Sequence, residues 1–456
     1  MSKILLLGDL VVDCSYYGKI KCIAPEGAFP VINDIKTVYS LGCCGNVLMN
    51  LCNFYEKIYF ITCINEKDLD IIKKILINYK NIEHINFHQE DRNIIIKNRL
   101  YAENKCMSRF DFEKVQNLNE SNEQEIYNFI SHIIYDINLI ILSDYEKGFL
   151  TYTLTRKILD LSNRSNVISL VDPKTNDFSK YKNATFVKPN KNELRACLKF
   201  EKGNICEKDY YNNNTLDLIE NEIMKKYNIK FILNTLSEQG VQIIYYNGDK
   251  IIQKIKPCNK CEVIDVVGCG DTILSALAIY LSKENYKINN IDHFLTLLCD
   301  FGEKSVTTKG CYNITKEDWN NYFISNNTVF TNGCFDIFHV GHLKLLKYCR
   351  SIGKKVIIGI NTDESIKRLK GIDRPINSLN NRIAFLKELD LADEIIPFEE
   401  DTPLNLLKTI KPDILVKGGD YTIDSIIGKE YVKDIIIFPT EYGYSSSNII
   451  SIIKSK

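Results

Sequence analysis

With 456 residues the chain exceeds what a single ordinary hydrophobic core organises, and two or three domains are expected. Hydrophobic residues at 45% and charged residues at 25% are ordinary for a soluble globular protein, and 58 basic side chains against 58 acidic ones leave zero formal charge. This balance excludes bulk attraction to nucleic acid or to a membrane surface, so any phosphate must be held by a few local cations and backbone amides.

The opening "MSKILLLGDL" has too short an apolar run for a secretory leader, and no window approaches the roughly 20 apolar residues that cross a bilayer. The cysteines are therefore expected as free thiols of a cytoplasmic protein. Cys258 and Cys261 in "CNKC" have zinc-knuckle spacing, but no second CxxC or CxxH pair lies at the usual distance.

Runs rich in Ile, Val and Leu predict strands at "KILLLGDL", "YFITCI", "INLIILSDY", "VISLVDP", "FILNTL" and "VQIIYY", many buried on both faces and separated by amphipathic segments. That alternation is the pattern of an α/β domain. The polar stretch "ITKEDWNNYFISNN", with the only tryptophan, Trp319, marks a boundary, giving domains over 1–318 and 328–456 and a linker over 319–327. A second α/β series follows in "NTVFTNGCFD", "KVIIGINTD", "DEIIPF", "DILVKGG" and "DIIIFP", with a helical pattern over Leu379 to Leu389.

The first domain has no Walker A motif, so any ATP is held without a P-loop. "IDVVGCGDTILSALAIYL" offers another anion cradle: Gly268 and Gly270, then Asp271, then an unbroken apolar helix whose first N–H groups can face a phosphoryl group. Asp271 is either a helix cap or a general base that takes the proton of a substrate hydroxyl. In the second domain, "GCFDIFHVGHLKLL" predicts a helix starting near Val340, with His339 and His342 at its first turn. Two imidazoles at a helix N-terminus can stabilise a phosphate that gains charge during reaction. Zinc competes with this reading, but zinc helices space their histidines by four with an intervening Glu; a pair of core histidines is the third possibility.

"HVGH" matches the HxGH signature of the cytidylyltransferase-like nucleotidyltransferases, and the second domain resembles that family. The resemblance implies a doubly wound α/β sheet with nucleotide at the strand ends. It implies nucleotide or phosphate contacts from Thr331, Asn332, Gly333, Phe335 and Asp336 in "TNGCFD", and from Lys367, Lys370, Arg374 and Arg382 in and after "NTDESIKRLKG" and "RPIN". Lys417, Gly418 and Asp420 in "LVKGGDY", and Ser445, Ser446 and Ser447 in "YSSSNII", would enclose the nucleotide. The nucleophile, a sugar-phosphate oxygen, is already anionic, so no strong base is needed.

"GDLVVD", "GCCGNVLMN", "LSDYEKG", "VDPK", "KPNKNE", "TLSEQG" and "DVVGCGD" occur in the order seen in ribokinase-like sugar kinases of the PfkB family, which the first domain resembles. That resemblance implies Asp271 as catalytic base and Asn190, Lys191, Asn192 and Glu193 at the ATP and magnesium site with Gly268 and Gly270. It implies a sugar pocket lined by Asp9, Asp13, Gly42 and Asn46, and a clamp for the substrate's phosphate from Lys97, Arg99 and Arg109. Asp144 and Lys174 would sit at strand ends facing the cleft. "GCCG" departs from the usual Gly-Gly-Ala-Ala and "VVGCGD" from Thr-Gly-Ala-Gly-Asp, without loss of a backbone donor or of the base.

Together the halves resemble the bifunctional heptose-7-phosphate kinases and heptose-1-phosphate adenylyltransferases of lipopolysaccharide precursor synthesis. The resemblance implies ATP-dependent phosphorylation of D-glycero-β-D-manno-heptose 7-phosphate at O1, then adenylyl transfer from ATP to heptose 1-phosphate, with Mg2+ accompanying ATP at both sites and no metal fixed by the protein alone. A separate phosphatase must act between the steps, and a homodimer through the kinase half is implied. The rival readings are a kinase of another sugar phosphate joined to a cytidylyltransferase, or a sensor or scaffold with one inactive half.

Overall fold

The computed structural model describes residues 3–103, 105–203, 213–259, 261–284, 286–288, 291–419 and 425–438. The chain divides into two compact units, Met1–Lys316 and Glu317–Lys456. The helix Lys316–Asn326 occupies most of the stretch expected as linker, with Trp319 and Tyr322 buried. The described cysteines are free thiols, and no described helix is long and apolar enough to cross a membrane.

The strands of the first unit are β1 (Lys3–Gly8), β2 (Leu10–Ile23), β3 (Pro30–Cys43), β4 (Lys57–Cys63), β5 (Ile82–Phe87), β6 (Ile95–Ala102) and β7 (Lys105–Phe112). They continue with β8 (Leu139–Ser143), β9 (Ile168–Asp172), β10 (Phe186–Val187), β11 (Phe231–Thr235), β12 (Val241–Asn247) and β13 (Lys250–Lys256). Nine of them form one sheet in the order β13-β12-β11-β10-β9-β8-β1-β4-β5, parallel except at β12 and β13. Strands such as Ile4–Leu7 and Leu139–Leu142 are buried throughout because helices cover both faces, which explains their unbroken apolar runs.

The other four strands form a separate sheet, β3-β2-β6-β7. Alternation along these strands gives the sheet two unlike faces. Asp13 pairs with Lys97, Lys97 with Asp111, and Arg99 with Arg109, so these charges share one face. Tyr16, Tyr39, Phe110 and Phe112 lie on the other, with Tyr16 stacked on Phe110 at 6.2 Å.

The second unit holds β14 (Thr328–Gly333), β15 (Lys355–Asn361), β16 (Glu394–Phe398), β17 (Ile414–Gly418) and β18 (Asp434–Phe438), all parallel, in the order β16-β15-β14-β17-β18. The strand order reverses between β14 and β17, which opens a crevice at their carboxyl ends where such sheets bind ligands. "TNGCFD" and "LVKGG" end on that crevice, and the helix Val340–Ile352 begins there.

Candidate active sites

In the first unit the helix Cys269–Lys283 is buried along nearly its whole length. Gly268 precedes it with φ 77°, a left-handed turn that glycine adopts without strain, and a Cβ there would lie 2.6 Å from Asn46 Nδ2. The tight turn sets Asp271 in the first helical turn, 4% exposed, with Oδ2 accepting from Asn46 Nδ2 at 2.9 Å and Oδ1 accepting from the Tyr145 hydroxyl at 2.8 Å. Burial, then the charge of Asp172, pushes the Asp271 carboxyl up to about 6, against the pull of Asn46, Tyr145 and Lys188. The carboxylate is thus poised to take a proton near neutral pH.

Lys188, at the end of β10, is 3% exposed and its Nζ lies 2.9 Å from Asp172 Oδ1. Burial disfavours its charge, but Asp172 more than offsets this and its pKa is raised, so it is an ammonium. A Cβ on Gly270 would stand 3.4 Å from that Nζ, which sets a fixed positive charge beside the glycine turn and the helix N-terminus. Sequence reasoning singled out neither Lys188 nor Tyr145, although both lie within motifs it quoted, "KPNKNE" and "LSDYEKG".

Asn190 and Glu193 form a capping box: the Asn190 side chain accepts from the Asn192 and Glu193 amides, and Glu193 Oε2 accepts from the Asn190 amide at 2.9 Å. Glu193 Oε1 also meets Lys174 Nζ at 3.3 Å. Asn190, Glu193, Asp172, Lys174, Lys188 and Gly270 line a cleft of about 820 Å³, which Asp144 also borders. Lys191 and Asn192, also expected at the ATP site, are not among the residues that line this cleft. The helical rotation of about 100° per residue turns them off the face that carries Asn190 and Glu193; Lys191 donates to Gln239 at 3.2 Å in a separate cavity, and Asn192 is exposed.

Asp9 is a further correction. It is fully buried and does not line a sugar pocket: its oxygens accept from the amides of Tyr145, Lys147 and Phe149 at 2.9 to 3.0 Å, with Arg92 at 3.7 Å. Asp13 does stand on the charged sheet face, 2.6 Å from Arg99, and a Cβ on Gly42 would fall 2.4 Å from its Oδ2. Arg109 is bound to Asp111 at 2.7 Å and half exposed. Lys97 lies close enough to Cys43 to pull its thiol down, although burial dominates and pushes it up to about 12. Cys43 has φ 54° and ψ −127°, a backbone region that glycine occupies easily and other residues only under strain.

In the second unit the His339 and His342 rings stack at 3.9 Å, and His342 also packs against Phe335 at 5.1 Å and Phe338 at 5.4 Å. The Nδ1 atoms of both rings and Thr331 Oγ1 are buried without a hydrogen-bond partner. Burial, then His339, pushes His342 down to about 4, and burial lowers His339, so both rings are neutral at pH 7. Lys417 donates to Asn332 and burial lowers its pKa to about 8. Gly333, Phe335 and Gly418 border the same strand ends. Unsatisfied polar atoms gathered at a sheet's switch point are what a polar ligand would complete.

Two expected phosphate ligands serve the fold instead. Arg382 is 2% exposed and its guanidinium donates to the carbonyls of Cys334, Asn361 and Asn377 and, at 2.6 Å, to Asp363. Asp336 is 3% exposed and accepts from Arg374 Nε at 2.6 Å and from the amides of Ile376 and Asn377 at 2.8 Å, which fixes the segment carrying Arg374. Lys367 pairs with Glu364 at 2.8 Å on the surface, and Lys370 is close enough to Cys334 to act on its thiol. Asp420, Ser445, Ser446 and Ser447 lie outside the described residues.

A model of the pfkB family of carbohydrate kinases matches residues 88–317, and a cytidylyltransferase-like model matches residues 330–452. The chain is 34% identical to the bifunctional protein HldE of Aliarcobacter butzleri over 99% of this chain and 97% of that protein. It is 33% identical to the HldE of Helicobacter acinonychis over 100% of this chain and 99% of that protein. The crystal structure of phosphofructokinase-2 from Escherichia coli shares the fold of the first unit, with a TM-score of 0.52 at 16% identity over 70% of this chain and 96% of that one.

The folded-state pKa of Asp271 lies above its unfolded value of 3.8, so its charge costs stability at neutral pH, and the cost shrinks as pH falls below about 6 and is gone below about 3.8. Asp271→Asn is therefore expected to stabilise the first unit at pH 7.5, by on the order of 2 kcal/mol in urea unfolding. Arg382→Met is expected to destabilise the second unit by about 3 kcal/mol, because Asp363 and several carbonyls lose their donor. Unchanged urea unfolding with weakened nucleotide binding would instead return Arg382 to the ligand set.

Proposed function

The chain belongs to the family of bifunctional HldE proteins, and we propose that its first unit phosphorylates O1 of D-glycero-β-D-manno-heptose 7-phosphate while its second joins heptose 1-phosphate to AMP. Membership makes it a two-activity enzyme of heptose precursor synthesis, a sugar kinase followed by an adenylyltransferase. The observation that carries the substrate-level reading is the buried Asp271, with its pKa near 6, at the edge of a cleft beside a glycine turn and a buried ammonium.

In this reading Asp271 accepts the proton of the anomeric hydroxyl as that oxygen attacks the terminal phosphorus of ATP. The Lys188 ammonium and the amides at the start of the helix Cys269–Lys283 receive the charge of the phosphoryl group in transit. Lys97, Arg99 and Arg109 on the charged sheet face take the 7-phosphate, and Asp13 and Asn46 orient sugar hydroxyls. Among the described residues no three His, Cys, Asp or Glu side chains gather into a metal cluster. The hard oxygens of Asp172 and Glu193 suit a magnesium ion that arrives with the triphosphate, which would supply neutralisation of the departing diphosphate.

At the second site an anionic oxygen of heptose 1-phosphate attacks the α-phosphorus of ATP, giving ADP-heptose and pyrophosphate. His339 and His342 align that phosphorus and donate to its oxygens, and Lys417, Thr331 and Asn332 hold the triphosphate. The 7-phosphate must leave between the two steps, which calls for a separate phosphatase. The exposed aromatic face with Tyr39, Phe110 and Phe112 suits a second copy of the chain, so the enzyme is read as a homodimer. Its need for ATP at both sites fits the cytoplasm.

The test is mass analysis of products from heptose 7-phosphate and ATP, with and without an added bisphosphate phosphatase. Asp271→Asn should lower formation of the 1,7-bisphosphate by about 10³-fold and His342→Ala should lower formation of ADP-heptose by about 10²-fold. Each should leave the other half-reaction within about twofold of the parent, as independent sites add without coupling. Better turnover of another sugar phosphate, or loss of both reactions from either change, would contradict the reading.

A further inference from the structure

We infer that Tyr145 is a positioning residue for phosphoryl transfer, its hydroxyl fixing the orientation of the Asp271 carboxylate from a loop clamped beneath it by the buried Asp9. This rests on Asp271 being the base of the kinase reaction. The loop follows β8, and its backbone takes φ 55° at Glu146 and φ 90° at Gly148. Alternating these conformations turns the amides of Tyr145, Lys147 and Phe149 inward, and the concavity so formed closes on the Asp9 carboxylate. A Cβ on Gly148 would lie 2.4 Å from the carbonyl oxygen of Gln116, so only glycine permits this path. With Tyr145 N held by Asp9 at 3.0 Å and its ring packed against Val11, Cys43 and Ile95, the tyrosine has little freedom.

The outcome is a hydroxyl placed 2.8 Å from Asp271 Oδ1 while Asn46 holds Oδ2 at 2.9 Å. Each carboxylate oxygen has two lone-pair sites, so one donor on each leaves room for a sugar hydroxyl. Tyr145 keeps its proton throughout the working pH range, since burial and the neighbouring Asp271 charge raise its pKa well above the usual tyrosine value. The other charges facing Asp271 are Asp172, which raises its pKa, and Lys188, which lowers it. The nearby thiols of Cys43, Cys44, Cys269 and Cys311 all have pKa values raised by burial and stay neutral.

Tyr145→Phe removes the donor and keeps the ring. Full-length variant and parent are compared by carbon-13 NMR titration of the Asp271 carboxyl without ligand, and by the pH profile of kcat with ATP and heptose 7-phosphate. The variant's carboxyl is expected to titrate about half to one pH unit higher, because a bond favouring the charged form is gone. The acid limb of kcat should move the same way, with kcat down about tenfold at neutral pH and KM for ATP within about twofold of the parent. A merely structural role would lower the unfolding midpoint without moving the titration. An unshifted carboxyl in the variant overturns the inference. Absence of turnover in the parent would sink the substrate reading instead, and the ligand-free titration would still decide the role of Tyr145.

Discussion

Holding one carboxylate, Asp271, inside the protein and near a second, Asp172, is the constraint around which the first unit's site is organised. Burial and like charge both push Asp271 toward its protonated form. The surroundings bring it back part of the way. Lys188 neutralises Asp172, while Asn46 and Tyr145 donate to Asp271 directly. The result lies between an exposed carboxylate, too weak a base, and an isolated buried one that would stay neutral. The glycine turn, the buried helix behind it and the Asp9-anchored loop are the means by which backbone conformation delivers those partners.

The second unit solves a different problem with different chemistry. Among the described residues its carboxylates Asp336 and Asp363 are engaged with Arg374 and Arg382. The crevice presents neutral imidazoles with unfilled nitrogen positions and a lysine of lowered pKa, groups that gain protons or tighten when an anion arrives. One site holds a buried carboxylate with a raised pKa, and the other presents two neutral imidazoles beside a lysine of lowered pKa.

What the sequence made legible follows from how local the signal was. Strands buried on both faces announce themselves as apolar runs, so β4, β8, β9, β11 and β12 could be read directly, as could the helix starting at Val340. β2 and β3 could not, because neither is continuously buried. Tyr145, Asp172 and Lys188 reach Asp271 only through the pairing of distant strands, information that no spacing carries. Asp9, Asp336 and Arg382 stood in ligand motifs, but a motif does not reveal whether a charge faces a guest or the protein's own backbone. In all three the backbone amides and carbonyls, which the one-letter code leaves out, had claimed the charge.

The two unlike faces of the β3-β2-β6-β7 sheet also limit how this part of the chain can evolve. Lys97 and Arg99 alternate with Ile96 and Asn98 along β6, so a single inserted or deleted codon would send every later side chain in the strand to the opposite face. Cations would then be pressed into the aromatic surface and apolar groups turned onto the charged face. Over Ile95–Leu100 descent is therefore confined to exchanges of one side chain for another, whereas the register shifts at Leu100/Tyr101, Tyr17/Lys19 and Ile20/Cys22 mark where an extra residue can be absorbed.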